Sequence, residues 1–512
     1  MKSLSFAVSP LRALHNDIAF KLLIAAAIVS VADWLFYIHW LGISVAIFLL
    51  ILAAAVVIAN PVTANPRRIA WSGAILFFGL LPIVENLDLL SATIAIVATA
   101  FAAVLLTNPF LDSIDDHIVA ARKILLTGPF RFLSDLSNMQ SGSLSFSHIV
   151  VWIVPLLLST LFLVLFASAN PLIENWLSLI DLRALLAALN GWRVLLWVAV
   201  LLVTWRFIST HWQAKKVQDA SVKETQASVV EAPNAIFGPA AILRSLVLFN
   251  LLFAVQTVLD IVYLWSGVAL PEGMTYADYA HRSAYPLILT ALLAGAFVLA
   301  AMRPGGLTER VPIIRILVFV FVAQNVMLVI SSILRLDLYV QAYSLTYWRV
   351  AALVWMIIVA IGLVLIVARI ALNRSNKWLV QANLAALTAV LYICAFINFP
   401  LVIADYNVSN SKELSGKDVK LDFDYLINLG PQALPAIDRY LRHPNRTQQF
   451  FWRANGAYFH MDNMREALVT TQRSEADSWR VWSFRGWRLQ RYLDSFSTKS
   501  GANNVSSGRA FL

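Results

Sequence analysis

Gln256 and Asp260 stand four residues apart inside a long apolar stretch, a spacing that puts both on one face of a helix. An ionisable group in such a setting costs a few kcal/mol on insertion scales and is retained for a reason. Other polar groups gather near the edges of neighbouring stretches. Asp33 closes the first, and Glu85, Asn86 and Asp88 fill a short break between the third and fourth. His281 and Arg282, Arg335 and Asp337, and Arg349 flank later ones, and Gln324 and Asn325 lie in the middle of another. Acids and bases balance, so the chemistry these residues point to is a shared outward-facing polar cavity. Its candidate lining is Glu85, Asn86, Gln256, Asp260, Arg282, Asn325, Arg335 and Asp337. Such a cavity could bind a solute or lipid for transport. It could equally serve an enzyme in which Glu85 or Asp260 acts as base and arginines hold phosphate. The structural alternative is ion pairing and snorkelling of arginines at helix ends, the stronger reading for Arg282, Arg335 and Arg349.

No motif sharpens that choice. The chain holds no His-Glu-x-x-His, no phosphate-cradling glycine loop and no Gly-x-Ser-x-Gly elbow. Its eight histidines are scattered, and its single cysteine, Cys394, can form no disulfide within the chain. No metal and no cofactor is expected. No two glycines lie four apart, so the tight glycine helix-pair motif is absent too.

The elements that must position these residues are written in the hydropathy. Sixty per cent of the residues are hydrophobic and 13% charged, far from the balance of a soluble globular chain. Apolar stretches of span length fall near 20–38, 41–60, 68–86, 88–107, 147–168, 191–211, 243–268, 283–302, 312–334, 347–371 and 377–402. Every second break collects Lys and Arg: 19 in one set of breaks, counting the N-terminus, against 5 in the other. The positive-inside rule then puts the N-terminus in the cytoplasm and, after eleven spans, the C-terminal tail outside. The same loops account for the net charge of +10 without nucleic acid as a partner. Membrane lipids are the expected partners.

The expected fold class is an all-α, polytopic transmembrane bundle over 1–403, with a small helical extramembrane domain at 404–498 and a disordered end at 499–512. Within 108–146, Leu111, Ile114, Ile118 and Leu125 recur at helical spacing and predict a helix lying on the cytoplasmic face. Residues 171–190 read as an outer interfacial or re-entrant helix and 212–240 as a polar cytoplasmic linker. In the tail, Gly430-Pro431 breaks one helix from the next. Ser474 with Asp477 resembles a capping box opening a further helix. That helix interleaves Trp479, Trp482 and Leu489 with arginines, which predicts packing by both tryptophans and a bend at Gly486, or else a surface that touches headgroups.

Several phrases resemble a known family. LLPIVENLDLLS (80–91), YAHRSAYPLILTALLAGAFVLAAMRPG (279–305), QNVMLVISSILRLDLYVQAYSLTYWRVAALVWM (324–356) and LDFDYLINLGPQALPAID (421–438) are similar to bacterial polytopic inner-membrane proteins known only as a domain of unknown function, of the 4173 type. The resemblance covers roughly 80–440. It implies a bacterial integral membrane protein and brings no catalytic residues. Three functions stay open: a transport or solute- and lipid-binding protein, an outer-leaflet transferase on a lipid-linked substrate, and a scaffold or sensor signalling through 212–240.

Overall fold

The computed structural model describes residues 18–137, 191–208, 239–265, 311–452 and 458–495, apart from 64, 110, 112 and 418, with 159, 293 and 297 between them. The expected spans at 147–168 and 283–302, the helix at 171–190, the linker at 212–240 and Arg282 lie outside the described residues. Two compact units emerge. The first holds residues 1–226 and 474–490, the second 227–473 and 491–512.

In the first unit the helices are α1 (Ile18–Phe36), α2 (Ile43–Ala59), α3 (Pro66–Glu85), α4 (Leu89–Thr107), α5 (Ile114–Ser137) and α6 (Gly191–Ile208). The turn between α3 and α4 is built by its own polar residues. Asn86 closes α3 by donating its backbone N–H to Pro82. Asp88 opens α4 in a reciprocal capping box with Ser91, both bonds at 2.8 Å. The two helices then pack closely. Gly79 faces Ala98 so tightly that a Cβ at Gly79 would collide with it, and Ser72 donates to the Ala102 carbonyl at 3.0 Å. The small-residue interface missing from the glycine pattern is therefore present in mixed form, one glycine against alanines. On α5 the buried face is His117, Ala120, Ala121 and Ile124, whereas Ile118 and Leu125 are exposed. Of the expected stripe, Leu111 packs against the core whereas Ile118 and Leu125 do not.

The second unit contains α7 (Pro239–Asp260), continued by a π-helical turn Ile261–Trp265, then α8 (Pro312–Tyr343), α9 (Tyr347–Ala371), α10 (Asn376–Phe396) and α11 (Phe399–Ser409). α12 (Phe423–Asn428), α13 (Leu434–Leu441), a hairpin of β1 (Phe450–Trp452) and β2 (Tyr458–His460), and α14 (Met461–Ala476) complete it. α7 and α8 run in the same direction: Asn250 donates to the Leu317 carbonyl, and Asp260, ten residues on, meets Arg335. α8 does not stop at 334. Its 32 residues carry Arg335 and Asp337 inside the helix, about 48 Å long at 1.5 Å per residue. The last expected span also ends early. Asn398 caps α11 and bonds Gln432, so 399–409 packs with the tail rather than prolonging α10.

Among the described residues, seven helices (α3, α4 and α6–α10) are long and apolar enough to cross a membrane, and α2 is a shorter apolar helix. The fold is an all-α membrane-protein fold with one two-stranded hairpin.

The tail residues of the second unit form a core on α11. Gly430, at φ +82°, makes the sharp turn between α12 and the 3-10 turn that leads into α13, a conformation natural to glycine. Asn407 grips the α8–α9 turn, accepting from the Leu345 N–H at 2.6 Å and donating to its carbonyl at 2.9 Å. At the centre lies Glu413, 3% exposed. It accepts from the backbone N–H groups of Leu421 and Thr447, the Thr447 hydroxyl, the Gln448 amide and the Tyr440 hydroxyl, at 2.7–3.1 Å. None of these donors is charged. Burial pushes the Glu413 carboxyl up, but the donors outweigh it and hold it at about 2, against 4.5 ordinarily. Burial and the adjacent Glu413 together raise the Tyr440 hydroxyl. A second buried carboxylate, Asp438, takes Arg465 at 2.7 Å and the Tyr492 hydroxyl at 2.9 Å. Burial, then the charge of Asp438, pushes Tyr492 up to about 12.

Because its folded value is depressed, Glu413 stabilises the tail fully above the unfolded value. That stabilisation is lost as pH falls from 4.5 toward 2, and the difference is on the order of 3 kcal/mol. Thermal unfolding of wild-type protein should therefore weaken across that window. Glu413→Gln, which turns an amide N–H toward the Thr447 donors, should be less stable at neutral pH by a similar amount and lack that part of the acid dependence. Equal acid sensitivity in the two proteins would refute the assignment.

Candidate functional site

The polar centre of the second unit starts from α7. Gln256 and Asp260, one turn apart, share a face, and Gln256 donates to the Asp260 carboxylate at 2.9 Å. From α8, Arg335 forms a buried ion pair with the same carboxylate, the two side chains being 4% and 2% exposed. The π-turn begins at the next residue, and its Trp265 donates to Ser331, one turn below Arg335, at 3.3 Å. Wide turns of this kind interrupt helices most often at functional positions.

Deeper in the bundle the polar line continues. Asn325, 1% exposed, donates to the Phe321 carbonyl of its own helix at 2.7 Å, and its Oδ1 has no hydrogen-bond partner among the described residues. Gln324 donates to the Asn250 carbonyl at 3.2 Å, and Asn250 donates to the carbonyls of Leu246 and Leu317. The amide oxygens of Gln324 and Asn250 are likewise buried without a donor. Three acceptors without donors in the α7–α8 region are what a site for a donor-bearing or cationic guest offers. Asp337 is not part of it: it is exposed and takes a bond from Gln341 on its own helix at 2.8 Å.

The first unit has its own charged centre. Glu85, the last residue of α3, is 8% exposed and accepts from Arg485 at 3.3 Å and from Arg488. Asn86 and Asp88 serve as the helix caps described above. Near the end of α1, Asp33 is held by Arg193 at 2.8 and 2.5 Å and by the Trp197 indole at 2.9 Å, both on α6.

The structure thus assembles Gln256, Asp260, Arg335 and Asn325 on one helix pair, and sets Glu85 among arginines of the tail. The sequence does not announce those arginines, because 400 residues separate Arg485 from Glu85. Nor does it single out Glu413, whose donors are dispersed over loops. Asn250 is missed as well, though a polar residue inside an apolar stretch is the signal that could have found it. The capping reading at Ser474 is overturned: α14 runs on to Ala476, and Ser483 is the residue that accepts from the Gly486 N–H, at 3.0 Å. Gly486 therefore lies in the first turn of a helix that starts at 484, and no bend is needed there. Among the described residues no cluster of three His, Cys, Asp or Glu is arranged to hold a metal.

The chain belongs to the family described as Domain of unknown function (DUF4153), which it matches over residues 18–440. The family number is 4153 rather than 4173, and the match reaches further toward the N-terminus than the phrases that suggested it. Glu85, Gln256, Asp260, Asn325 and Arg335 fall within it, whereas Arg485 and Arg488 lie beyond. No curated protein and no solved structure matches the chain.

Because the Asp260–Arg335 pair is buried, Asp260→Asn and Arg335→Gln should each destabilise the protein by about 3–5 kcal/mol, since each takes away the opposite charge that the other faces. The double variant should recover most of that loss. Additive losses in a double-mutant cycle, read by thermal unfolding in detergent, would show that the two do not interact.

Proposed function

We propose that this protein is a multi-pass protein of the bacterial inner membrane that binds, and by alternating access transports, a polar solute or lipid through an outward-facing centre formed by α7 and α8. The carrying observation is the buried Asp260–Arg335 pair beside a π-turn, with donorless amide oxygens at Asn250, Gln324 and Asn325. A buried ion pair is weak currency for stability, and apolar residues of similar volume often do as well. Retaining one in a membrane bundle, next to unsatisfied acceptors, is explained by a guest that uses them.

The rival enzymatic reading is less well supported. Of its two candidate bases, Glu85 already accepts from two guanidiniums through the same oxygen and Asp260 is ion-paired with Arg335.

The test is direct. Wild type and the Asp260→Asn/Arg335→Gln double variant, reconstituted in lipid nanodiscs, are compared by native mass spectrometry. The wild type should retain a co-purified small molecule or lipid that the folded double variant loses. Identical adducts on both would leave the pair a structural one.

Orientation follows from the 19-to-5 charge bias. It is supported by where the tail attaches within each unit. In the first, the Trp482 carbonyl accepts from Ile43 at the α1–α2 turn. In the second, the Tyr425 hydroxyl accepts from Tyr347 at the α8–α9 turn. Both turns are among those read as outside. An alkaline-phosphatase fusion after Leu512 should be active and one at Lys223 inactive. The reverse pattern would overturn the orientation.

A further inference from the structure

Ser474–Gln490 is the stretch of the tail that belongs to the first unit. The α1–α2 turn receives it closely: Ile43 donates to the Trp482 carbonyl at 3.2 Å, and a Cβ on Gly42 would stand 2.5 Å from Val481. Arg485 and Arg488 reach Glu85 at the end of α3. α3 has 20 residues, about 30 Å at 1.5 Å per residue, which is the thickness of a bilayer's hydrocarbon. Whatever packs at Glu85 therefore sits where hydrocarbon gives way to headgroups.

The side chains at that level suit the boundary. The expectation that Trp479 and Trp482 form a core is overturned: they are 48% and 38% exposed, and only Leu489 of the three is buried. Phe484, Trp487, Trp34 and Trp40 are exposed as well. Tryptophan is the residue that favours the headgroup boundary.

Charge identifies the partner. From 474 to 490 the chain carries Arg480, Arg485 and Arg488, with its two acids, Glu475 and Asp477, both ahead of the arginines, and Glu85 is the carboxylate that Arg485 and Arg488 share. Arg480 lies 4.9 Å from the rings of both Trp34 and Trp479, and its Nε is buried without a hydrogen-bond partner. Arg488 is half exposed. Two guanidiniums thus retain donor capacity at headgroup depth.

We propose that Ser474–Gln490 is an interfacial collar that binds the phosphate headgroups of anionic phospholipids through Arg480 and Arg488, with Trp482, Phe484 and Trp487 set into the boundary beside them. The collar stands independently of the α7–α8 reading.

The test uses full-length protein in nanodiscs of phosphatidylcholine with phosphatidylglycerol. The only native cysteine is removed by Cys394→Ala, and nitroxide labels are placed at Phe484→Cys or Trp487→Cys, with Glu466→Cys as an aqueous reference. In power-saturation spectroscopy, the two collar labels should be open to oxygen and shielded from a water-soluble nickel chelate. Accessibility matching the Glu466 reference would overturn the collar. In a second arm, retained phosphatidylglycerol relative to phosphatidylcholine should fall about fivefold per arginine in Arg480→Gln and Arg488→Gln proteins. No change would overturn the role of the arginines. Millimolar inorganic phosphate should leave that ratio unchanged, and displacement by it would mean a free-phosphate site instead.

Discussion

A charge inside an apolar bundle must be matched where it stands, and that constraint shapes both units. Asp33 finds Arg193, Asp260 finds Arg335, and Glu85 finds Arg485 and Arg488. Each carboxylate lies at or near a helix end and each partner comes from a different element. The pairs therefore bind elements together as well as cancelling charge. α6 is tied to α1, α8 to α7, and the tail segment to α3. Breaking one partner leaves a charge that hydrocarbon cannot solvate, which is why such contacts are unforgiving even when their net contribution to stability is small.

The helices were legible because their cause is local. Apolar length and the Lys/Arg alternation are properties of consecutive residues, and the described helices from α1 to α10 coincide with expected stretches to within a few residues at most ends. Exceptions have physical reasons. α8 outran its apolar stretch because Arg335 found a buried partner, so polarity at 335 did not end the helix. The stretch at 377–402 broke early because Asn398 could cap a new helix ahead of Pro400. The partners of the charges were not legible. Nothing in the neighbourhood of Glu85 announces arginines four hundred residues on, and an isolated Glu413 in a polar loop carries no sign that five neutral donors converge on it.

The tail shows two ways of burying charge. Glu413 stays ionised among neutral N–H and O–H groups, with burial opposing and hydrogen bonding prevailing. Asp438 instead recruits Arg465 and the Tyr492 hydroxyl. The first solution depends on backbone placed by several loops at once, so it reports whether α11–α13 and the loop at 447–448 are assembled together. The second needs only side chains from helices that are already formed.

The same distinction, by kind of donor, separates the two centres near the membrane. Around Glu85 two arginines meet one carboxylate, and one of them is half exposed. Such a centre is suited to meeting phosphate. Around Asp260 the carboxylate meets Arg335 and Gln256 in a buried setting, and amide oxygens deeper along α7 and α8 lack a donor among the described residues. On the proposed reading that centre takes a guest that donates hydrogen bonds or carries positive charge. The π-turn Ile261–Trp265 follows Asp260 directly, and its i→i+5 bonds can be exchanged for α-helical ones without disturbing the packed length of α7.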